Sequence, residues 1–163
     1  MPSRLAPADL LAHWRRLSGL PGGKWLFSRL LGRVARYTGS IAPRVEELAP
    51  GRARVRLADR PAVRNHLRSV HAIALANLAE AASGLALLAG LAPGARAILV
   101  GLEIQYLKKA RGVLTAEGSA PEIDDPTPRE VLAEAMITDR DGEVVARAVA
   151  RWRVGPERRE RAA

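Results

Sequence analysis

One run constrains the rest of the chain. From Ala72 to Ala95 every side chain is Ala, Leu, Ile, Gly, Ser, Asn or Pro, except for a single ionisable group, Glu80. A helix apolar on nearly all its faces belongs inside a protein, and a lone carboxylate there loses hydration that nothing local restores. The reading is a helix over about residues 71–91, stopped by Pro93-Gly94 and entered through Asn65-His66-Leu67-Arg68-Ser69-Val70-His71. Ser69, two residues before His71, is the expected cap. The run is long enough to cross a bilayer, but a central acid costs roughly 2.5–3.5 kcal/mol on insertion. It therefore reads as a core helix, with no stable membrane insertion.

Such a helix needs a sheet to cover it, and the flanking sequence supplies strands. Arg52-Ala53-Arg54-Val55-Arg56-Leu57 alternates strictly, with Ile41–Leu48 as its partner across Pro50-Gly51. After the helix come strands at 95–107, 113–120, 131–138 and 143–154. On the first of these, Ile98, Val100, Leu102, Ile104 and Tyr106 are expected to share one face, opposite Glu103 and Gln105. Asp139-Arg140-Asp141-Gly142 between alternating runs is the strongest hairpin signal in the chain. Ahead of the strands lie two helical segments separated by Pro21-Gly22-Gly23, the first with Asp9 as a candidate cap, the second placing Arg29, Arg33 and Arg36 beside Phe27, Leu30, Leu31 and Val34. The layout is α+β: a long central helix wrapped by a curled antiparallel sheet of about six strands. Residues 1–39 form an N-terminal helical arm, 40–155 the domain and 156–163 a charged, flexible tail. One sheet leaves a flank of the helix uncovered, so a homodimer or a dimer of dimers is expected.

The 163 residues carry a formal charge of +9, and only Lys24, Lys108 and Lys109 among the basic residues are not arginine. That balance favours anionic partners. Three Trp, two Tyr and one Phe are too few for a base-stacking surface, so nucleic acid is not the expected partner. The absence of Cys removes disulfide and thiolate chemistry and suits a cytoplasmic location, and three scattered His leave no metal-binding pattern.

Asn65, His71 and Leu78-Ala79-Glu80, at these spacings, resemble the hotdog-fold thioesterase superfamily over about residues 40–155. The pattern is similar to that of phenylacetate-pathway-type acyl-CoA thioesterases, which carry a loop Asn, then His-Gly-Gly at the helix start, then an acid further along. The segment from Asn65 to Ala86 and the stretch Tyr106-Leu107-Lys108-Lys109-Ala110-Arg111-Gly112 resemble more closely a bacterial domain-of-unknown-function branch of that superfamily. The resemblance implies an acyl-CoA thioesterase, with Glu80 as general base or nucleophile and the Ala72 amide in the oxyanion hole. It also implies that Asn65 orients the acid or the water across the dimer interface and that His71 sits close to the thioester. No cofactor is implied beyond the coenzyme A of the substrate. Where the family has two glycines this chain has Ala72 and Ile73, and Ile73 adds bulk where an acyl chain or pantetheine passes. Lys108, Lys109 and Arg111 are candidates for the CoA phosphates.

Plainer roles exist for each residue. Glu80 is equally a structural acid paired across an interface, His71 a helix-start residue and the basic bend a solvated surface. Ser69 lacks a Ser-His-Asp arrangement and is rejected as a nucleophile. Two alternative functions follow: a non-catalytic acyl- or acyl-CoA-binding protein of the same fold, and a basic surface that binds nucleic acid or membrane through residues 24–37 and the Arg-faced strands.

Overall fold

A computed structural model describes residues 7–157; the ends of the arm and of the charged tail lie outside them. The arm comprises α1 (Pro7–Leu17), α2 (Gly23–Val34) and the short α3 (Arg36–Ser40). Strands β1 (Arg44–Ala49) and β2 (Arg52–Leu57) follow, then α4 (Ala72–Ala89), then β3 (Ala95–Tyr106), β4 (Leu114–Ser119), β5 (Arg129–Thr138) and β6 (Val144–Pro156). The strands make one curled, six-stranded sheet in the order β1-β2-β4-β5-β6-β3, antiparallel at every pairing. This is the α+β layout expected, with β1 and β3 at its edges.

Helix α4 lies in the hollow of the sheet, against β2, β4 and β5, with Leu78, Ala79, Ala82, Ala86 and Leu87 fully buried. Its richness in Ala has a steric reason. At Gly118 of β4 an added Cβ would stand 2.1 Å from the Ala82 carbonyl oxygen, so helix backbone rests directly on sheet backbone. Among the described residues α4 is the one helix with the length and composition of a membrane span, and 72% of it is buried within the fold.

The predicted hairpin forms at Asp139–Gly142: Asp139 Oδ1 accepts from the amides of Asp141 and Glu143, and Gly142 takes φ 79°. Other expectations are corrected. The strand placed at Ile41–Leu48 starts only at Arg44, because the chain continues as α3 to Ser40 and turns through Ala42 at φ 48° before Pro43. Strand β6 runs past Val154 to Pro156, since the start of β3 offers partners for Gly155 and Pro156. The single apolar face expected on β3 is divided by a bulge at Val100. Before it, Ile98 lies opposite Arg153 on the outer face; after it, Leu102, Ile104 and Tyr106 lie opposite Ala150, Ala148 and Ala146. Leu102 still stays 37% exposed and Ile98 51%, because β3 is an edge strand that no described residue covers.

Candidate functional site

The start of α4 is built by the loop before it. Asn65 Oδ1 accepts three hydrogen bonds, from the amides of Leu67 (2.9 Å) and Ser69 (3.2 Å) and from the Ser69 hydroxyl (3.1 Å). This clamp holds Arg68 at φ 55°, a left-handed conformation that costs a non-Gly residue energy unless its surroundings enforce it. With its oxygen committed, Asn65 has only its Nδ2 donor to offer another group. Ser69 is therefore part of the loop and not the cap. The cap is His71, whose Nδ1 accepts from the Ile73 amide at 3.1 Å. An imidazole acceptor at that position does what a Ser or Asp side chain does elsewhere.

That arrangement leaves the Ala72 N–H, at the first helical position, without a partner among the described residues. The Ala72 carbonyl accepts from the Tyr106 hydroxyl at 3.0 Å, which pins the end of β3 to the helix start. Burial raises the Tyr106 phenol above its ordinary value. The sequence places Tyr106 on the strand and in the family-like stretch but assigns it no site role; its register after the bulge turns it toward α4. Ile73 is 53% exposed and lines a cleft of about 240 Å³ with His71, Tyr37 and Asn77. Asn77 donates to the Tyr37 carbonyl at 3.0 Å, tying the arm to α4.

The basic bend after β3 is held beside the same loop, because the Val70 amide donates to the Ala110 carbonyl at 2.8 Å. Asp59 supports it by accepting from the Gly112 amide (2.8 Å) and from Arg64 (2.6 Å). The Arg64 guanidinium holds the Asp59 carboxyl below the ordinary carboxylate range. The three cations on the bend differ. Lys108 is engaged by Asp139 at 2.9 Å and by Glu143, which ties it to the β5–β6 hairpin. Lys109 and Arg111 are exposed and have no ion-pair partner among the described residues.

Glu80 lies apart from all of these. It lies eight positions after Ala72, about 12 Å along the helix axis at about 1.5 Å per residue. Its carboxylate lies beside Gly84, against which the Trp152 ring also packs: a Cβ at Gly84 would stand 3.0 Å from the ring and 3.9 Å from Glu80 Oε1. A side chain at position 84 would push one of them away. No side chain of the described residues pairs with Glu80, and burial raises its carboxyl above the ordinary carboxylate value. Helical spacing of seven puts Glu80 on the same face as Ile73. The chain thus brings His71, Ala72, Ile73, Asn65 and the basic bend together, and leaves Glu80 alone two turns further along. Among the described residues no group of three or more His, Cys, Asp or Glu side chains is arranged to hold a metal.

Comparison with known proteins finds that the family described as Domain of unknown function (DUF4442) matches residues 23–154. No curated protein matches. Among solved structures, a structural-genomics target is 30% identical, with a TM-score of 0.78 over 91% of this chain and 99% of that one. A Pseudomonas aeruginosa protein of unknown function, described as "Probable Thioesterase", is 25% identical, with a TM-score of 0.73 over 85% of this chain and 97% of that one. A thioesterase from Haemophilus influenzae shares the fold at 11% identity, with a TM-score of 0.69 over 83% of this chain and 92% of that one.

Proposed function

We propose that this chain, which belongs to the DUF4442 family and to the hotdog-fold thioesterase-like superfamily, hydrolyses an acyl-CoA-type thioester at a site shared by two copies. The observation that carries the reading is the separation of its two halves. An oxyanion donor and a base must both lie within about 3 Å of atoms on one reacting carbonyl and its water. In one chain the Ala72 amide and Glu80 are about 12 Å apart along the helix. Two α4 helices running antiparallel face to face would put the Ala72 amide of one copy near the Glu80 of the other. The uncovered β3 edge, with Ile98, Val100 and Leu102 exposed, supports an apolar dimer seam.

In this reading the thioester carbonyl lies at the N-terminus of α4, where the Ala72 N–H and the helix dipole stabilise the oxyanion. Glu80 of the second copy, with its affinity for protons raised by burial, takes a proton from the attacking water or attacks the carbonyl itself. The free Nδ2 of Asn65 donates to that carboxylate or to the water. On the water route, collapse of the tetrahedral intermediate releases the acid and the free thiol. On the direct route it expels the thiol and leaves an acyl–Glu80 anhydride, which water then hydrolyses to the acid. Lys109 and Arg111 are left to meet the CoA phosphates, since Lys108 is already paired. No cofactor beyond the coenzyme A of the substrate is required.

The test is a panel of acyl-CoAs with free thiol followed in time, for the native chain and for Glu80→Gln. Thiol release by the native chain, lost in the variant, is expected. Equal rates in both would remove Glu80 from the chemistry. Binding of acyl-CoA without thiol release would favour a non-catalytic acyl-binding protein.

A further inference from the structure

We infer that the N-terminal arm and the first two strands form a second, separate site, an arginine-lined groove that binds a nucleotide through its phosphates. The groove, of about 550 Å³, runs between α2 and the start of the sheet. Arg29 and Arg33 enter it from α2, Arg44 from β1 and Arg56 from β2, with Trp25 at its rim. A volume in the range 300–1,000 Å³ is that of small-molecule sites.

The charge arrangement points to an anion. Arg44 and Arg56 are direct cross-strand partners, and like charges set opposite each other on a sheet are destabilising. Arg29 and Arg33 are four residues apart on α2, the spacing at which like charges repel on a helix. Both repulsive pairs converge on one concavity. The only ion pair among these four, between described residues, is a 3.4 Å contact from Arg44 to Glu46. The neighbouring Arg54, two residues from Arg56 but outside the groove, is by contrast paired with both Glu47 and Glu117. The groove therefore gathers four arginines with one acid, Glu46, paired to them among the described residues.

Backbone contact gives the groove its shape. An added Cβ at Gly39 would stand 2.3 Å from the Gly32 carbonyl oxygen, so α2 and α3 touch there and hold the wall carrying Arg29 and Arg33. Ser28 is not a ligand group, because its hydroxyl donates to the Lys24 carbonyl and accepts from the Val45 amide. Trp25, 55% exposed, carries the Arg29 guanidinium 5.5 Å from its ring centroid. Four guanidiniums suit more than one phosphate, each capable of paired hydrogen bonds. An exposed indole beside them suits a base, which is the reason for naming a nucleotide over inorganic phosphate.

The test uses the full chain, with ATP, adenosine 3′,5′-bisphosphate, coenzyme A, inorganic phosphate and vesicles of phosphatidylglycerol as separate probes. Binding is followed by titration calorimetry, which reads the native chain and every variant alike, Trp25→Ala included. At least one nucleotide is expected to bind saturably, about tenfold or more tighter than inorganic phosphate, and to raise Tm. Arg33→Gln and Arg56→Gln should each weaken that binding about tenfold or more while leaving the unliganded Tm unchanged or higher, because each relieves repulsion. Trp25→Ala should weaken the nucleotide and not inorganic phosphate. Nucleotide binding no tighter than inorganic phosphate, binding indifferent to the arginine variants, or binding to the vesicles alone would overturn the inference. Coenzyme A binding is counted for the groove only where Arg33→Gln and Arg56→Gln weaken it, since the proposed thioester site would bind it too. ATP binding and the thioester assay are independent of each other.

Discussion

At the scale of the residue, Glu80 is a carboxylate kept among Gly84, the Trp152 ring and the apolar face of α4, with no cation among the described residues to meet it. Burial raises its proton affinity, so the folded state holds that proton over a pH range in which the unfolded chain has released it. Stability contributed by the neutral acid is then lost as pH rises from the ordinary carboxylate range through the raised value. Glu80→Gln removes that dependence. The variant is expected to match the native chain near the acid end and to exceed its Tm at neutral pH, by thermal melts across pH. Activity runs the other way. A base must be ionised, so native kcat/KM should rise with pH through a limb above the ordinary carboxylate range, and Glu80→Gln should lower kcat about 10²–10⁴-fold. A variant that loses both stability and activity at neutral pH would mark Glu80 as a structural acid.

At the scale of the element, α4 is placed by the absence of side chains as much as by their presence. Gly118 of β4 lets the sheet meet the Ala82 carbonyl. Gly118→Ala therefore drives a methyl group into helix backbone, which has no rotamer to give. A loss of about 3 kcal/mol, at the upper end of what overpacking costs, is expected in denaturant unfolding. Gly94→Ala meets no neighbouring atom within 4 Å, but Gly94 has φ 73°, so its effect should be the smaller one of backbone strain, about 1 kcal/mol. The loop before α4 follows the same economy. Asn65 uses all of its acceptor capacity to shape residues 65–69, so Asn65→Ala should slow turnover and also loosen the Arg68 turn, seen as faster amide exchange at Leu67 and Ser69.

At the scale of the whole molecule, the proposed function takes the two halves of the site from different copies, which has a distinctive consequence. Ala72→Pro removes the N–H at the first helical position, where proline is well tolerated, and His71 already has the extended conformation that a following proline demands. Each of Glu80→Gln and Ala72→Pro alone should be inactive. Mixed after co-refolding, they should recover about a quarter of native activity, because half the dimers are mixed and each has one intact site. No recovery, with mixed dimers shown to form, would place both groups in one chain. Leu102→Asp, at the uncovered β3 edge, should give monomers by light scattering that remain folded yet inactive.

Much of this was legible in the chain itself. The lone acid in an apolar run, the period-two strands and Asp139–Gly142 determined a core helix, a wrapping antiparallel sheet and the hairpin, because hydrophobic periodicity and turn chemistry act over a few residues. Asn65, His71 and Ala72 could be named as a group only through the resemblance to the thioesterase superfamily. What tertiary structure alone decided rests on contacts between distant residues. The bulge at Val100 divided the face of β3 and turned Tyr106 onto the Ala72 carbonyl. His71 displaced Ser69 as the cap once Asn65 had taken Ser69 into the loop. Lys108 went to the Asp139–Glu143 hairpin, and four arginines spread over residues 29–56 met in one groove. Local pattern determines which face of an element is apolar; only packing decides which neighbour that face, and each charge on it, finally meets.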